Sequence, residues 1–566
     1  MKRKEVTAVK LFDLENVSIA GFCNFCKNNL PLIIAVTFAL FFTYGAKLFW
    51  YNIGIDTEAV LVNREGVFRF CVGIGRFGLV FLSNIWNFNE FNPFTGFFVG
   101  FCLIWFFAIS WSYIIAIFDG NTGRNNKLIP FALVLMTMPV WAEQFYFVFQ
   151  AAENALIVAL CPYVIYFFYK GFLNNEKRLI VSAFVLLIFM TSVYQAIVPL
   201  FCGGVFAFFL LLQERSNYEP KVYRNLCIKF FAVLVAAMAV YSLIDRIVIP
   251  IAFGIEKADY FDNMNQWGRK PITTNIMAVL IWTYDVFVGH TTVLQRIVPP
   301  SVIAPFFRTG IQGAEIFLSP ENTPVAVRTF LLLPLTVLFL VKAIEVMRKA
   351  IPNGRKFLYV LAGIGVPLSI ILLTIMGGNP PVTRALYALP FAYAFMFFYL
   401  IRSHKKPFAA IIISFALIAA LYQAQTTSRL FFSDHVRYND DVRLANKLND
   451  LIIQIQPEEK SLPVVLVGRY QTALRFPQRS FLQGETMGHS LFEWDFLFNG
   501  TAIRGLGFMS SLGFHFNRPS QEQIVQAREI AAFMPAYPKQ GFMKRAQDFI
   551  VVKLSDDIWI DPKLSE

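Results

Sequence analysis

Apolar stretches long enough to cross a bilayer recur along the first three quarters of the chain, and this recurrence excludes most soluble architectures before any single residue is considered. They fall near residues 30–50, 95–118, 129–145, 148–169, 179–194, 195–213, 230–252, 326–341, 357–376, 385–401 and 408–425, about eleven in all. Composition agrees. Of 566 residues, 56% are hydrophobic and only 15% are charged, where a soluble domain carries about 25% charged residues. The expected fold class is an α-helical polytopic membrane protein with about eleven transmembrane helices. The first run begins near Leu30, behind the basic Met1-Lys2-Arg3-Lys4, and ends in Tyr51-Asn52 rather than a small-residue cleavage site. It reads as a retained span rather than a signal peptide.

Charge then orients the spans. The net charge of +13 would suit nucleic acid in a soluble protein, but a membrane protein keeps Lys and Arg mainly on cytoplasmic loops, so no nucleic-acid partner is expected. With the N-terminus inside, the inner loops 119–128, 170–178, 214–229, 342–356 and 402–406 are all basic, with Arg124, Lys177, Arg224, Arg348 and Lys405 among their cations. That is the positive-inside pattern. The expected topology is N-terminus inside and C-terminus outside, in the cytoplasmic membrane of a bacterium.

Three longer segments then face the exterior. Residues 51–94 mix apolar side chains with Arg64, Glu65, Arg69 and Arg76 and read as amphipathic helices in the interface plane. Residues 252–324 contain one moderately apolar piece, 272–288, expected as an interfacial or re-entrant helix. From 426 to 566 the charges multiply and no spanning run appears. Apolar residues at helical spacing over 440–456, short strands at 463–468 and 548–554, and a helix capped by Ser520 point to a small exterior α/β domain. The organisation expected is a cytoplasmic segment 1–29, a transmembrane domain 30–425 and an extracytoplasmic domain 426–566.

Polar residues near the outer ends of the spans are the candidates for chemistry. Asp56 and Glu58 stand two residues apart where the first span leaves the membrane, and a positioned carboxylate there can deprotonate a hydroxyl. The plain alternative is a pair of solvated acids. Arg76, between Gly75 and Gly78, offers a planar fork for phosphate oxygens, or else snorkels to lipid headgroups. Glu143, Glu153, Asn154, Tyr194, Gln195 and Asp245 map to the same outer side and outline a polar substrate cavity, unless they serve helix–helix hydrogen bonds or local pairs such as Asp245 with Arg246. Arg384, after the Gly377-Gly378-Asn379-Pro380-Pro381 loop, opens a helix whose N-terminal end favours anions. No metal constellation stands out among five scattered His residues, and the lone Cys23-x-x-Cys26 reads as free thiols. Neither a P-loop nor a GxGxxG follows a strand, so no nucleotide cofactor is expected and a group donor would be a lipid.

These features resemble the GT-C class of membrane glycosyltransferases. More narrowly, Ile55-Asp56-Thr57-Glu58 followed by Gly75-Arg76-Phe77-Gly78 is similar to the start of the GtrII-type glucosyltransferases. Met534-Pro535-Ala536-Tyr537-Pro538-Lys539-Gln540-Gly541 and Ile550-Val551-Val552-Lys553-Leu554 are similar to that family's ending. The resemblance implies a GT-C-like membrane domain and transfer of glucose or a related hexose. The donor would be a polyprenyl-phosphate-linked sugar, and the acceptor a surface glycan such as O-antigen, on the outer side of the membrane. It further implies Asp56 as the catalytic base, Glu58 as its helper or an acceptor ligand, and Arg76 and Arg384 on the donor phosphate. A lipid-linked polysaccharide polymerase or ligase, or a flippase for lipid-linked glycans, stays open as an alternative.

Overall fold

The computed structural model describes residues 14–87, 90–257, 265–288, 325–327, 329, 331–456, 462–476, 481–497 and 503–557. Residues 258–264 and 289–324 of the expected exterior segment 252–324 lie outside the described residues, as does 1–13 of the N-terminal segment.

Helices occupy every position where a span is expected. Among the described residues, seven are long and apolar enough to cross a membrane: Leu30–Phe49, Pro93–Asp119, Val148–Asn174, Ile197–Arg215, Pro220–Phe253, Asn353–Gly377 and Lys406–Ile455. Leu128–Thr137 and Pro139–Phe145 make an eighth if the pair, bent by 45°, is one broken span. The remaining three, Lys177–Val193, Leu332–Ala350 and Ala388–Ser403, are short or carry charges in a terminal turn, such as Lys177, Arg178, Arg348 and Lys349. Length and apolarity thus establish a helical protein with seven or eight candidate spans, where the sequence led to about eleven.

Local chemistry explains the helix ends. Pro31, Pro93, Pro139 and Pro220 sit in first turns, where a missing N–H costs nothing. Gly120 ends its helix at φ +59°, and a Cβ there would collide with the Arg215 guanidinium. The central pair, Pro93–Asp119 and Val148–Asn174, approaches closely because Gly100 faces the backbone of Ala151 and Ala152, where a Cβ would stand at 3.3 Å.

The segment after the first apolar helix forms two helices, Thr57–Gly73 and Phe77–Asn87, and the 272–288 piece forms the helix Ile272–Phe287. The helix Lys406–Ile455 runs unbroken for 50 residues, through the compositional change at 426. Beyond it, β1 (Val464–Val467), β2 (Met543–Arg545) and β3 (Ile550–Lys553) form a sheet in the order β1-β3-β2, with β1 parallel and β2 antiparallel to β3. Ser520 closes a capping box on Gln521–Ala532. Alternation divides the buried strands: Val465, Val467 and Val551 pack on Ile524 and Ala527 of that helix, while Val464, Leu466, Ile550 and Val552 join the main core. The tail sheet is therefore welded to the helical body on one face.

Candidate functional site

Residues 51–55 leave the first apolar helix and are pinned from three sides. Lys47 Nζ donates to the Asn52 carbonyl at 2.9 Å, and the Asn52 amide donates to Asp434. Arg437 donates to the Ile53 carbonyl at 2.8 Å while pairing with Asp434 and, at 3.3 Å, with Asp441. Asp441 in turn accepts from the Leu491 N–H at 2.9 Å. Asp434, Arg437 and Asp441 are all fully buried. A buried charge is tolerated only when paired and hydrogen-bonded, and these three are both. Below the segment, Gly54 lies so close to Tyr146 that a Cβ would stand 2.0 Å from the ring, and the Tyr146 hydroxyl accepts the Ile55 N–H at 3.1 Å.

This clamp delivers Asp56 at φ +70°, a left-handed conformation that Asp tolerates better than most residues. Asp56 precedes the helix Thr57–Gly73 but makes no capping hydrogen bond. Its carboxylate turns instead to Arg504, at 2.7 Å, and the other arm of the same guanidinium reaches Glu58 at 2.8 Å. The two acids differ in access: the Asp56 side chain is 37% exposed and that of Glu58 1%. Burial lifts the Glu58 carboxyl to about 7, the Arg504 charge opposes that rise and the Asp56 charge adds to it. Glu58 Oε2 has no hydrogen-bond partner among the described residues.

Arg76 belongs to the tight turn that follows. Gly75 adopts φ +77°, and a Cβ there would lie 2.3 Å from the Tyr241 hydroxyl and 3.0 Å from Asp245. Tyr241 donates to the Gly75 carbonyl at 3.0 Å and accepts from the Gln195 amide at 2.7 Å. The Arg76 guanidinium lies over the Tyr194 ring at 4.5 Å, and the Tyr194 ring meets that of Tyr387 at a tilt of 31°. Tyr387 donates to Asn154 at 2.7 Å. Arg384 lies over Phe147 at 4.6 Å, and both guanidinium fields reach Tyr387. Arg76, Tyr194, Gln195, Asn379 and Pro381 help to line a cleft of about 450 Å³. Cys71 ties the two halves together: burial pushes its thiol up to about 12, with Arg76 pulling it down and Asp56 pushing it further up.

Asp56, Glu58, Arg76, Tyr194, Gln195, Asn154 and Arg384 thus fall in one region. Asp245 borders it through Gly75, but pairs with Lys257 rather than with Arg246, since neighbouring residues on a helical turn diverge. Arg384 does not open the α-helix: it sits in a single 3₁₀ turn, Thr383–Ala385, and the α-helix starts at Ala388, with Pro390 in its first turn. Glu143 is held elsewhere. Its oxygens accept the backbone N–H groups of Glu485 at 2.6 Å and Thr486 at 3.1 Å, so it anchors the tail to the helical body. Glu153 is buried on the helix Val148–Asn174.

Four residues of the site escaped sequence reasoning. Asp434, Arg437 and Asp441 carried a signal, since charges at i, i+3 and i+7 share one helical face. Arg504 carried none, being a lone cation in Ile503-Arg504-Gly505-Leu506-Gly507. Among the described residues no group of three or more His, Cys, Asp or Glu could hold a metal.

No curated protein and no solved structure matches the chain. A family model does: that of the glucosyl transferase GtrII, over residues 45–401. The match takes in the acids at 56 and 58, Arg76, the polar residues of the cleft and Arg384, and it stops short of the tail whose ending resembles the same family. A match over more than half the chain, on a helical protein with several membrane-length helices, settles its kinship: this protein belongs to the GtrII glucosyl transferase family.

Proposed function

We propose that the protein transfers glucose or a related hexose from a polyprenyl-phosphate carrier to a cell-surface glycan such as O-antigen, on the outer side of a bacterial cytoplasmic membrane. The observation that carries this reading is the pairing of two chemistries in one region: a half-exposed carboxylate, Asp56, acts on the same Cys71 as Arg76, which edges the cleft, and Arg384 acts on the same Tyr387 as Arg76. Asp56 accepts the proton of an acceptor hydroxyl. The hydroxyl oxygen forms the new bond to the anomeric carbon, and the bond from that carbon to the phosphate oxygen breaks with its electron pair on the phosphate. Arg76 and Arg384 stabilise the charge left on the lipid phosphate, a role that needs no metal.

An apolar cleft of about 310 Å³, lined by Cys202, Phe206, Phe231 and Leu358 among others, supports a lipid donor. It lies along the helices Ile197–Arg215 and Asn353–Leu368, which lead towards Ala196 and Leu373 at the cationic cleft. Tyr194, Gln195, Glu153 and Asn154 would meet the sugar hydroxyls, with Glu58 as helper to Asp56. Glu143 serves the cavity indirectly, through the loop it anchors.

The test is transfer by purified protein in lipid, with a polyprenyl-phosphate hexose as donor and the surface glycan as acceptor. Asp56→Ala is expected to lose about 10²- to 10⁴-fold in rate, the range of a positioned base. A folded Asp56→Ala variant that transfers at the wild-type rate would overturn the assignment. Movement of lipid-linked glycan across proteoliposomes with no new glycosidic bond would instead identify a flippase.

A further inference from the structure

We propose that Arg504 is a positioning residue of the transferase: its guanidinium fork holds Asp56 and Glu58 as a unit, leaving Asp56 open to the acceptor and Glu58 closed off. The proposal rests on the reading of Asp56 as base. It goes beyond that reading by making the tail, which lies past the matched residues 45–401, part of the working site.

The geometry is specific. One arm of the fork meets Asp56 Oδ1 at 2.7 Å and the other meets Glu58 Oε1 at 2.8 Å. A planar guanidinium that bridges two carboxylates fixes their spacing and mutual orientation, which a point-like ammonium cannot do. The fork works against a backbone that needs holding, because Asp56 sits at φ +70° with no side-chain cap of its own. Arg504 is supplied by the helix Ile503–Ser511, which packs against Thr57–Gly73, and Gly507 passes 3.8 Å from Glu58 Cγ at the point where a Cβ would stand.

The surrounding charges make Arg504 the dominant partner. Ile503–Ser511 carries no other acid or base, and Phe77–Asn87 carries none at all. From the body, Tyr146 faces Glu58, with Asp434 and Arg437 behind it. On the acids' own helix and the turn after it, Cys71 faces Asp56 and Arg76. Glu153 stands on the adjacent helix Val148–Asn174. Of the cations in this set, only Arg504 pairs directly with Asp56 and Glu58 among the described residues.

The experiment compares wild type with Arg504→Gln and Arg504→Lys in the transfer assay across pH 5 to 9, alongside thermal unfolding of each. Removing the positive charge makes the Glu58 carboxyl harder to ionise and leaves the Asp56 carboxylate without its cation. Arg504→Gln is therefore expected to lower kcat about 10- to 100-fold with KM little changed, and to move the acid limb of the profile upward by about one pH unit or more. Arg504→Lys should restore the acid limb but not the full kcat, since it supplies charge without the fork. If Arg504→Gln fails to fold, Arg504→Lys decides: wild-type kcat in that variant sinks the proposal. Wild-type rates and an unmoved profile in Arg504→Gln do the same. A wild-type protein that transfers nothing would refute the proposed function instead. The pairing is then still readable in unfolding scans, because Arg504→Gln should extend to higher pH the range over which stability falls as Glu58 loses its proton.

Discussion

Replacing Glu58 by Gln should remove a pH dependence that the wild-type site builds into the fold. Glu58 is 1% exposed, and burial lifts its carboxyl from an ordinary 4.5 to about 7, despite Arg504. A carboxyl whose value is higher folded than unfolded binds its proton more tightly in the folded chain. Its contribution to stability is complete below about 4.5, falls as the pH rises, and is gone above about 7. The gap of about 2.5 units, at about 1.36 kcal/mol per unit, corresponds to about 3 kcal/mol. Gln keeps the shape and one donor of the protonated acid but cannot ionise. The expected outcome is that Glu58→Gln gains on wild type by about 3 kcal/mol between pH 5 and pH 8. Paired thermal scans of detergent-purified protein at one heating rate, followed by tryptophan fluorescence, would measure this. A difference that stays flat with pH, or that grows in favour of wild type, would refute the reasoning.

Two further perturbations test the clamp around residues 51–55. Gly54→Ala places a carbon 2.0 Å from the Tyr146 ring, an overpacking of about 1–3 kcal/mol that also strains the Ile55 hydrogen bond; transfer should fall about 10²-fold as Asp56 shifts, and an unchanged kcat would show that the contact does not set its position. Arg437→Met leaves two buried carboxylates without their cation and should destabilise by about 3–5 kcal/mol, read as a fall in unfolding temperature, whereas an unchanged midpoint would remove the triad from the list of stabilising features.

What was legible in the sequence was local. Apolar runs mark helices because burial must follow the backbone's own period, and Ser520 with Gln523 marks a helix start because both ends of a capping box lie within four residues. The strands at 464–467 and 550–553 were readable as unbroken apolar runs, since both of their faces are covered. β2, with the half-exposed sequence Met543-Lys544-Arg545, has no such run. The acids at 56 and 58 could be picked out by position, but their partner could not. Arg504 lies 446 residues from Glu58, and Arg437 lies 384 residues from the carbonyl it holds. No periodicity reports a pairing at that range. The change at 426 is a change of side-chain polarity and not of backbone, so a hydropathy boundary fell inside one continuous helix.

That helix has a mechanical consequence. At about 1.5 Å per residue its 50 residues form a shaft of about 75 Å, keyed at two heights. Lower down, Gln423 and Thr427 engage Thr137 of the helical body; further along, Arg437 engages the Ile53 carbonyl. Both keys must turn together. One residue inserted between Thr427 and Asp434 would rotate Arg437 by about 100° and swing its guanidinium off the segment that carries Asp56. The stretch between Thr427 and Arg437 is therefore indexed like a gear tooth: its residue count, more than the side chains on its outer face, sets where the guanidinium lands.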